Sequence, residues 1–403
     1  MKQHFHNRPK DTVGRTEIQI RNRADIFLQI ELESRNERLY SRISSPKHSI
    51  SYAPSQLTLS PLDLDQIFER IVSAARKSSE MPKSTFRSIA EEGYDLFCRI
   101  FEGNDEVAQE LVQWITERSS SRNGEDLAAL VSGYLSPPRI LIIADGINVP
   151  WELLYAVNPS QYSADGTSTE IDPKFFLGCN FVFQKHLRLE KSRASYTAIM
   201  NPSEGASFFL GDRLRYAEPI ERKEIESEFL RDGRRFTLEE PFPPNTRSGP
   251  RDLVAKRINA TTDPILHFAC HAAVENGRAV LRLREGYFQE QLPLLQALNE
   301  RPPGATFVFL NACELSVRRS GDYCGIVNGL MAKGVAMVIS TLIPVSDHIA
   351  ALFSHSVYKY FLSSGNRSLL DAVFLARRRI LEDQGSLVGL TYSTYGSWDL
   401  IRS

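Results

Sequence analysis

Two residues capable of nucleophilic chemistry stand at matching places in the chain. His271 follows the apolar run Ile265-Leu-His-Phe-Ala269, and Cys313 follows Thr306-Phe-Val-Phe-Leu310. They are 42 residues apart (313 − 271). A thiolate attacks acyl carbons, and imidazole manages protons near neutral pH because its pKa lies there. Such a pair must be separate in sequence and adjacent in space, as residues at the ends of neighbouring strands are. Backbone N–H groups at the strand-to-loop turns would hold the developing oxyanion.

The neighbouring residues have plainer readings. His267 lies inside its run and reads as a core histidine, because alternate strand residues point to opposite faces. Cys270 reads as packing. A histidine pair at i and i+4 binds metal from a helix face, whereas Pro264-Ile-Leu-His-Phe268 reads as the entry to a strand, so no metal is expected. No G-x-G-x-x-G and no P-loop follows any run, so no nucleotide and no other cofactor is expected. The five cysteines are odd in number, scattered and without a C-x-x-C pair. That argues against a disulfide framework or a zinc ribbon and for a reducing cytoplasm.

The runs that must position these residues are Ile140-Leu-Ile-Ile-Ala144, Thr197-Ala-Ile-Met200, the two already named, and Ala336-Met-Val-Ile-Ser340. Continuous apolarity over four or five residues suits strands buried on both faces. Helical candidates lie between and after them, at 219–231, 250–259, 292–300, 323–333, 346–363 and 367–382. The alternation predicts an α/β fold with a mostly parallel sheet and helices on both sides. In such a sheet ligands bind beyond the carboxyl ends of the strands. Those ends carry Asp145-Gly146, His271-Ala272, Asn311-Ala-Cys313-Glu314 and Ser340-Thr341.

Upstream the texture differs. Residues 1–60 hold ten Lys and Arg against six Asp and Glu, a balance of +4 that leaves −5 for the rest. Ile18 and Ile20, then Ile26, Leu28, Ile30 and Leu32, alternate with polar residues about a turn at 22–25, which predicts a β-hairpin. Residues 1–60 are therefore read as a small β-rich extension. Helical period takes over at Ser60-Pro61, with Asp63 in the first turn and a stripe of Leu64, Ile67, Phe68, Ile71, Val72 and Ala75. Further helices are expected from Ser84 to Phe101 and from Asn104. The organisation predicted is 1–60 as extension, 61–120 as a helical front part and 138–403 as the catalytic α/β part.

Composition limits the function classes. Among 403 residues, 48 Lys and Arg nearly balance 49 Asp and Glu, and 42% are hydrophobic. Pervasive disorder is excluded, and there is no general electrostatic reason to bind nucleic acid or an anionic membrane. The most apolar stretch, Gly329 to Val345, is interrupted by Lys333 and Pro344, too short to span a bilayer. Met1 to Lys10 lacks the apolar core of a signal peptide.

Three segments together resemble a known family. His267-Phe-Ala-Cys-His271-Ala, Phe309-Leu-Asn-Ala-Cys313-Glu-Leu and Gly334-Val-Ala-Met-Val-Ile-Ser-Thr-Leu-Ile-Pro-Val-Ser-Asp347 are similar to blocks of the CHAT domain, a family of caspase-like cysteine peptidases related to caspases and separase. Leu141 to Leu154 resembles its first-strand block, and the similarity covers at least 138–382. The resemblance implies a caspase-like fold, a His271–Cys313 dyad, a protein substrate cleaved at a peptide bond, and an oxyanion held near the N–H groups of Ala272 and Cys313. Glycine often follows the family's histidine; this chain has Ala272, whose methyl is tolerable unless the position needs positive φ. Pocket positions in related peptidases match Asp145 and Asn311, and Asp347 of the third block joins them. Asp145 would pair with a basic side chain or serve as an acidic turn residue, and Asp347 is alternatively a helix cap. Only 22 residues separate Cys313 from Val335 (335 − 313), little room for a cleavable linker. Control is therefore expected from outside this segment, through the N-terminal region, a regulatory protein partner or oligomerisation. By analogy, stand-alone bacterial members link the family to defence or regulated cell death. The alternatives are a catalytically silent interaction module on the same fold and another thiol acyl-transfer enzyme, such as an amidase.

Overall fold

The computed structural model describes residues 17–20, 26–36, 38–45, 50–51, 54–76, 83–120, 137–144, 147–160, 171–187, 196–200, 204–211, 214–239, 263–275, 278–284, 287–290, 307–313, 327, 329–331, 335–363, 367–396 and 398–402. For the strand residues between 271 and 290, and for 312 and 313, the description is of backbone course and register.

The chain begins with strands β1 (Glu17–Ile20), β2 (Ile26–Arg35) and β3 (Arg38–Ser45), and the two-residue pieces β4 (Ile50–Ser51) and β5 (Ser55–Gln56). The hairpin expected between Ile18–Ile20 and Ile26–Leu32 does not form. β2 turns instead into β3, with Arg35 opposite Arg38 and Asn36 at φ 50°, a left-handed value that Asn tolerates better than most side chains. Alternation identifies a strand with one apolar face but says nothing about its partner.

Three helices follow: α1 (Pro61–Arg76), α2 (Phe86–Ile100) and α3 (Asp105–Ser120). The start of α1 is a reciprocal cap. Ser60 N–H donates to Asp63 Oδ2 (3.0 Å), and Asp63 N–H donates back to Ser60 Oγ (3.2 Å). Hydrogen bonds from Ser60 hold the Asp63 pKa below the ordinary carboxylate value. The stripe read from the sequence is buried throughout. α2 begins two residues later than expected, after a single 3₁₀ turn at Lys83–Thr85. Its Gly93 allows close approach to the 151–153 turn, since an ideal Cβ there would lie 2.4 Å from the Leu153 carbonyl oxygen.

The remaining strands are β6 (Arg139–Ala144), β7 (Val182–Leu187), β8 (Tyr196–Met200), β9 (Gly205–Leu210), β10 (Arg235–Glu239), β11 (Ile265–Glu275), β12 (Arg278–Arg284), β13 (Tyr287–Glu290), β14 (Phe307–Cys313), β15 (Met337–Thr341), β16 (Tyr392–Tyr395) and β17 (Trp398–Arg402). Helices α4 (Lys223–Arg231), α5 (Asp347–Ser363) and α6 (Leu369–Gln384) lie between them. The main sheet has the path β10-β9-β11-β14-β15-β16-β7-β6-β2-β3-β4, with β12, β13 and β5 attached beside it. Pairing is parallel from β10 to β15, antiparallel from β15 to β16, and parallel again through β7, β6 and β2. This is the caspase-like, mostly parallel sheet flanked by helices.

Four of the five apolar runs enter it as β6, β11, β14 and β15. The fifth, at 197–200, forms β8 in a separate sheet with β1 and β17. Helical candidates 250–259 and 292–300 fall outside the described residues, and 323–333 is helical at its described positions 327 and 329–331.

Two buried ionic clusters fasten the sheet to its surroundings. Glu152 receives Lys185 Nζ of β7 (2.7 Å) and Arg377 Nη2 of α6 (3.0 Å). Arg139 of β6 reaches Asp399 of β17 (3.1 Å), Asp371 and Ser368. A buried charge needs such partners, because burying it alone costs several kcal/mol.

Candidate active site

β11 and β14 run side by side in parallel from Ile265 opposite Phe307 to His271 opposite Cys313. The dyad residues predicted from sequence are therefore register partners on adjacent strands, at the same phase of the pleat. Both lie within their strands, beyond the apolar runs that mark them. β11 continues to Glu275 because β12 folds back on it, with Arg282 opposite His271 and Arg278 opposite Glu275. Along the first part of β11 the same flank is occupied by β9, up to Ala269 opposite Leu210. Ala272 follows in β11, opposite Leu281 of β12.

Beneath this row lies a closed polar cluster. His267, four residues before His271, is fully buried. Its Nδ1 is 3.0 Å from Tyr358 Oη, and its Nε2 is 3.2 Å from Glu221 Oε1. Burial, with the Glu221 charge second, pushes the Tyr358 phenol well above its ordinary value of 10, so it stays protonated. With Tyr358 O–H donating to Nδ1, the ring presents Nε2–H to the Glu221 carboxylate. The ring also stacks on Phe208 and meets Phe309 edge-on. The core reading of His267 matches this setting.

Asn311, two residues before Cys313 and 2% exposed, belongs to the same cluster. Its Nδ2 donates to Glu221 Oε1 and to Ala350 O (3.1 Å), and its Oδ1 accepts Tyr392 O–H (2.7 Å). Its amide is thus committed inside the protein. Asp347 opens α5, the helix after β15, and its Oδ2 accepts the Tyr216 N–H (2.8 Å). That bond ties the segment after β9 to the segment after β15. Asp145 lies outside the described residues. The strand it follows, β6, is four places from β14 along the sheet, about 19 Å at 4.8 Å per strand. The strand beside β11 on the side away from β14 is β9, where Gly205 and Ser207 blur the apolar pattern.

Glu221, Tyr358, Ser354 and Tyr392 were not singled out from sequence. Glu221 sits in a helical candidate with nothing local to mark it as buried. Of the other cysteines, Cys270 and Cys179 are buried and Cys98 is exposed. Burial pushes the Cys179 thiol up to about 12, so it is no nucleophile near neutral pH. Among the described residues no group of three or more His, Cys, Asp or Glu is placed to hold a metal ion. No described helix is long and apolar enough to cross a membrane.

The fold is of the caspase-like class. The model of the CHAT domain family matches residues 105–391, 287 of the 403 (391 − 105 + 1), and the chain belongs to that family. Comparison with curated protein sequences returns no significant match. Among solved structures, two Saccharomyces cerevisiae separase–securin complexes align over 94% of this chain, with TM-scores of 0.53 and 0.50 and identities of 10% and 12%. The chain spans only 30% and 31% of those longer chains. Gingipain R, the Arg specific cysteine proteinase RgpB of Porphyromonas gingivalis, aligns over 69% of this chain and 68% of its own, with TM-score 0.38 and 9% identity.

Proposed function

We propose that the chain is a cysteine endopeptidase of CHAT type that cleaves a protein substrate with Cys313 as nucleophile and His271 as its acid/base partner. The observation that carries this reading is the register pair His271–Cys313 on adjacent parallel strands in a chain of this family. The Cys313 thiolate attacks the scissile carbonyl carbon, forming a C–S bond. His271 gives a proton to the leaving amine as the C–N bond breaks, and water then hydrolyses the thioester and regenerates the thiol. The N–H groups of Ala272 and Cys313 are the donors proposed for the oxyanion. Asp145, Asn311 and Asp347 are proposed to contribute to the substrate pocket, with Asp145 as the partner of a basic substrate side chain. Residues 1–60 are proposed to take part in regulation through a protein partner.

The test is cleavage of a proteome-derived peptide library by wild type and Cys313→Ala, with sequencing of the new N-termini. Removal of the nucleophile is expected to lower the rate roughly 10⁴-fold. Equal cleavage by the two proteins refutes the dyad. Absence of cleavage under every activating condition supports the silent interaction module instead.

A further inference from the structure

We propose that Glu221 is a positioning residue for the His271–Cys313 pair, locking β11 and β14 in the register that sets the two opposite each other. This deepens the dyad reading and rests on it. Glu221 lies in the π-helical turn Ala217–Arg222 that leads into α4, and is 1% exposed. Single π turns inside helices occur often at functional sites. One carboxylate oxygen, Oε1, accepts hydrogen bonds from three separate elements: His267 Nε2 of β11, Asn311 Nδ2 of β14 and Ser354 Oγ of α5 (2.8 Å).

The spacing connects these bonds to the chemistry. Positions 267 and 271 share one phase of β11, and 311 and 313 share one phase of β14. Two residues of strand rise about 6.6 Å, so the clamp on β14 sits one pleat below Cys313. A slip of β14 by one residue would turn Asn311 away from Glu221 and put Cys313 out of phase with His271 in the same movement. It would also leave a buried carboxylate short of a donor, which resists the slip. Placement errors near 1 Å can cost about 100-fold in rate, so a clamp this close governs reactivity without touching substrate.

The experiment is alkylation of the full chain by iodoacetamide at neutral pH, followed by mass spectrometry at Cys313, with exposed Cys98 as internal standard. It compares wild type, Glu221→Gln, His271→Ala and the double variant. The expected result is that Glu221→Gln slows Cys313 labelling at least tenfold when His271 is present, less than twofold in the His271→Ala background, and leaves Cys98 unchanged. A purely structural role would slow both backgrounds alike. That outcome, or wild-type labelling of Glu221→Gln, overturns the proposal. If Glu221→Gln does not fold, Ser354→Ala, which removes one of the three donors, is expected to slow His271-dependent labelling about threefold, and no change there overturns it too. Wild-type labelling no faster than in His271→Ala refutes the dyad and this proposal together. The expected labelling pattern without peptide cleavage upholds the positioning role and refutes the peptidase reading alone.

Discussion

His186 lies on β7 opposite Ile143 of β6, 2% exposed, with neither ring nitrogen hydrogen-bonded among the described residues. Burial holds its pKa down to about 4, against the ordinary 6.5. The folded state therefore binds fewer protons than the unfolded chain between those values, and stability is lost as pH falls through that window. Lowering the pKa from 6.5 to about 4 corresponds to about 3 kcal/mol in full, and about 2 kcal/mol by pH 5. Above about pH 7 the imidazole is neutral in both states and its contribution no longer changes with pH. His186→Leu keeps similar bulk and removes the titrating group. Urea unfolding of both proteins at pH 7.5 and pH 5, followed by circular dichroism, isolates the effect as a difference of differences, since other titrating groups act equally on both. Wild type is expected to lose about 2 kcal/mol more than the variant on acidification. Loss of the same free energy by both, within about 0.5 kcal/mol, would refute the claim that the imidazole is buried and unpaired in the folded protein.

Two further substitutions probe how the sheet is held. Glu152→Gln leaves Lys185 and Arg377 buried without their shared carboxylate, and is expected to cost about 3 to 5 kcal/mol in denaturant unfolding. A cost under 1 kcal/mol would mean that the two cations find other compensation. Gly93→Ala puts a methyl against the backbone at Leu153 and is expected to cost about 1 to 3 kcal/mol, read as a lower Tm. A variant as stable as wild type would show that α2 and the 151–153 turn can separate freely.

Much of the fold was legible because its signals are local. The α1 cap needs only Ser60 and Asp63, three residues apart, and the stripe from Leu64 to Ala75 needs only the helical period. β11, β14 and β15 announce themselves because strands buried on both faces have no polar side to show. Partner choice has no local signal. Ile18 and Ile20 read as half of a hairpin, yet β1 pairs with β8 nearly 180 residues away. The ladder also puts β9, a strand without a continuous apolar run to mark it, beside β11.

The same division runs through the candidate site. The residue types at 271 and 313, each close behind an apolar run, are enough to nominate a thiol and an imidazole, because nucleophilic chemistry depends on those groups and on strand ends. Sequence also marks His267 as core, since it falls within its strand. Only the tertiary structure decided that His271 and Cys313 are register partners, since register is set by long-range hydrogen bonds and side-chain packing. It also decided that Asn311 is spent on Glu221, Ala350 and Tyr392. A carboxylate 90 residues from Asn311 in the chain leaves no trace in the local pattern around it. Its role appears only when four elements meet, and a buried charge has to find every partner it needs across the fold.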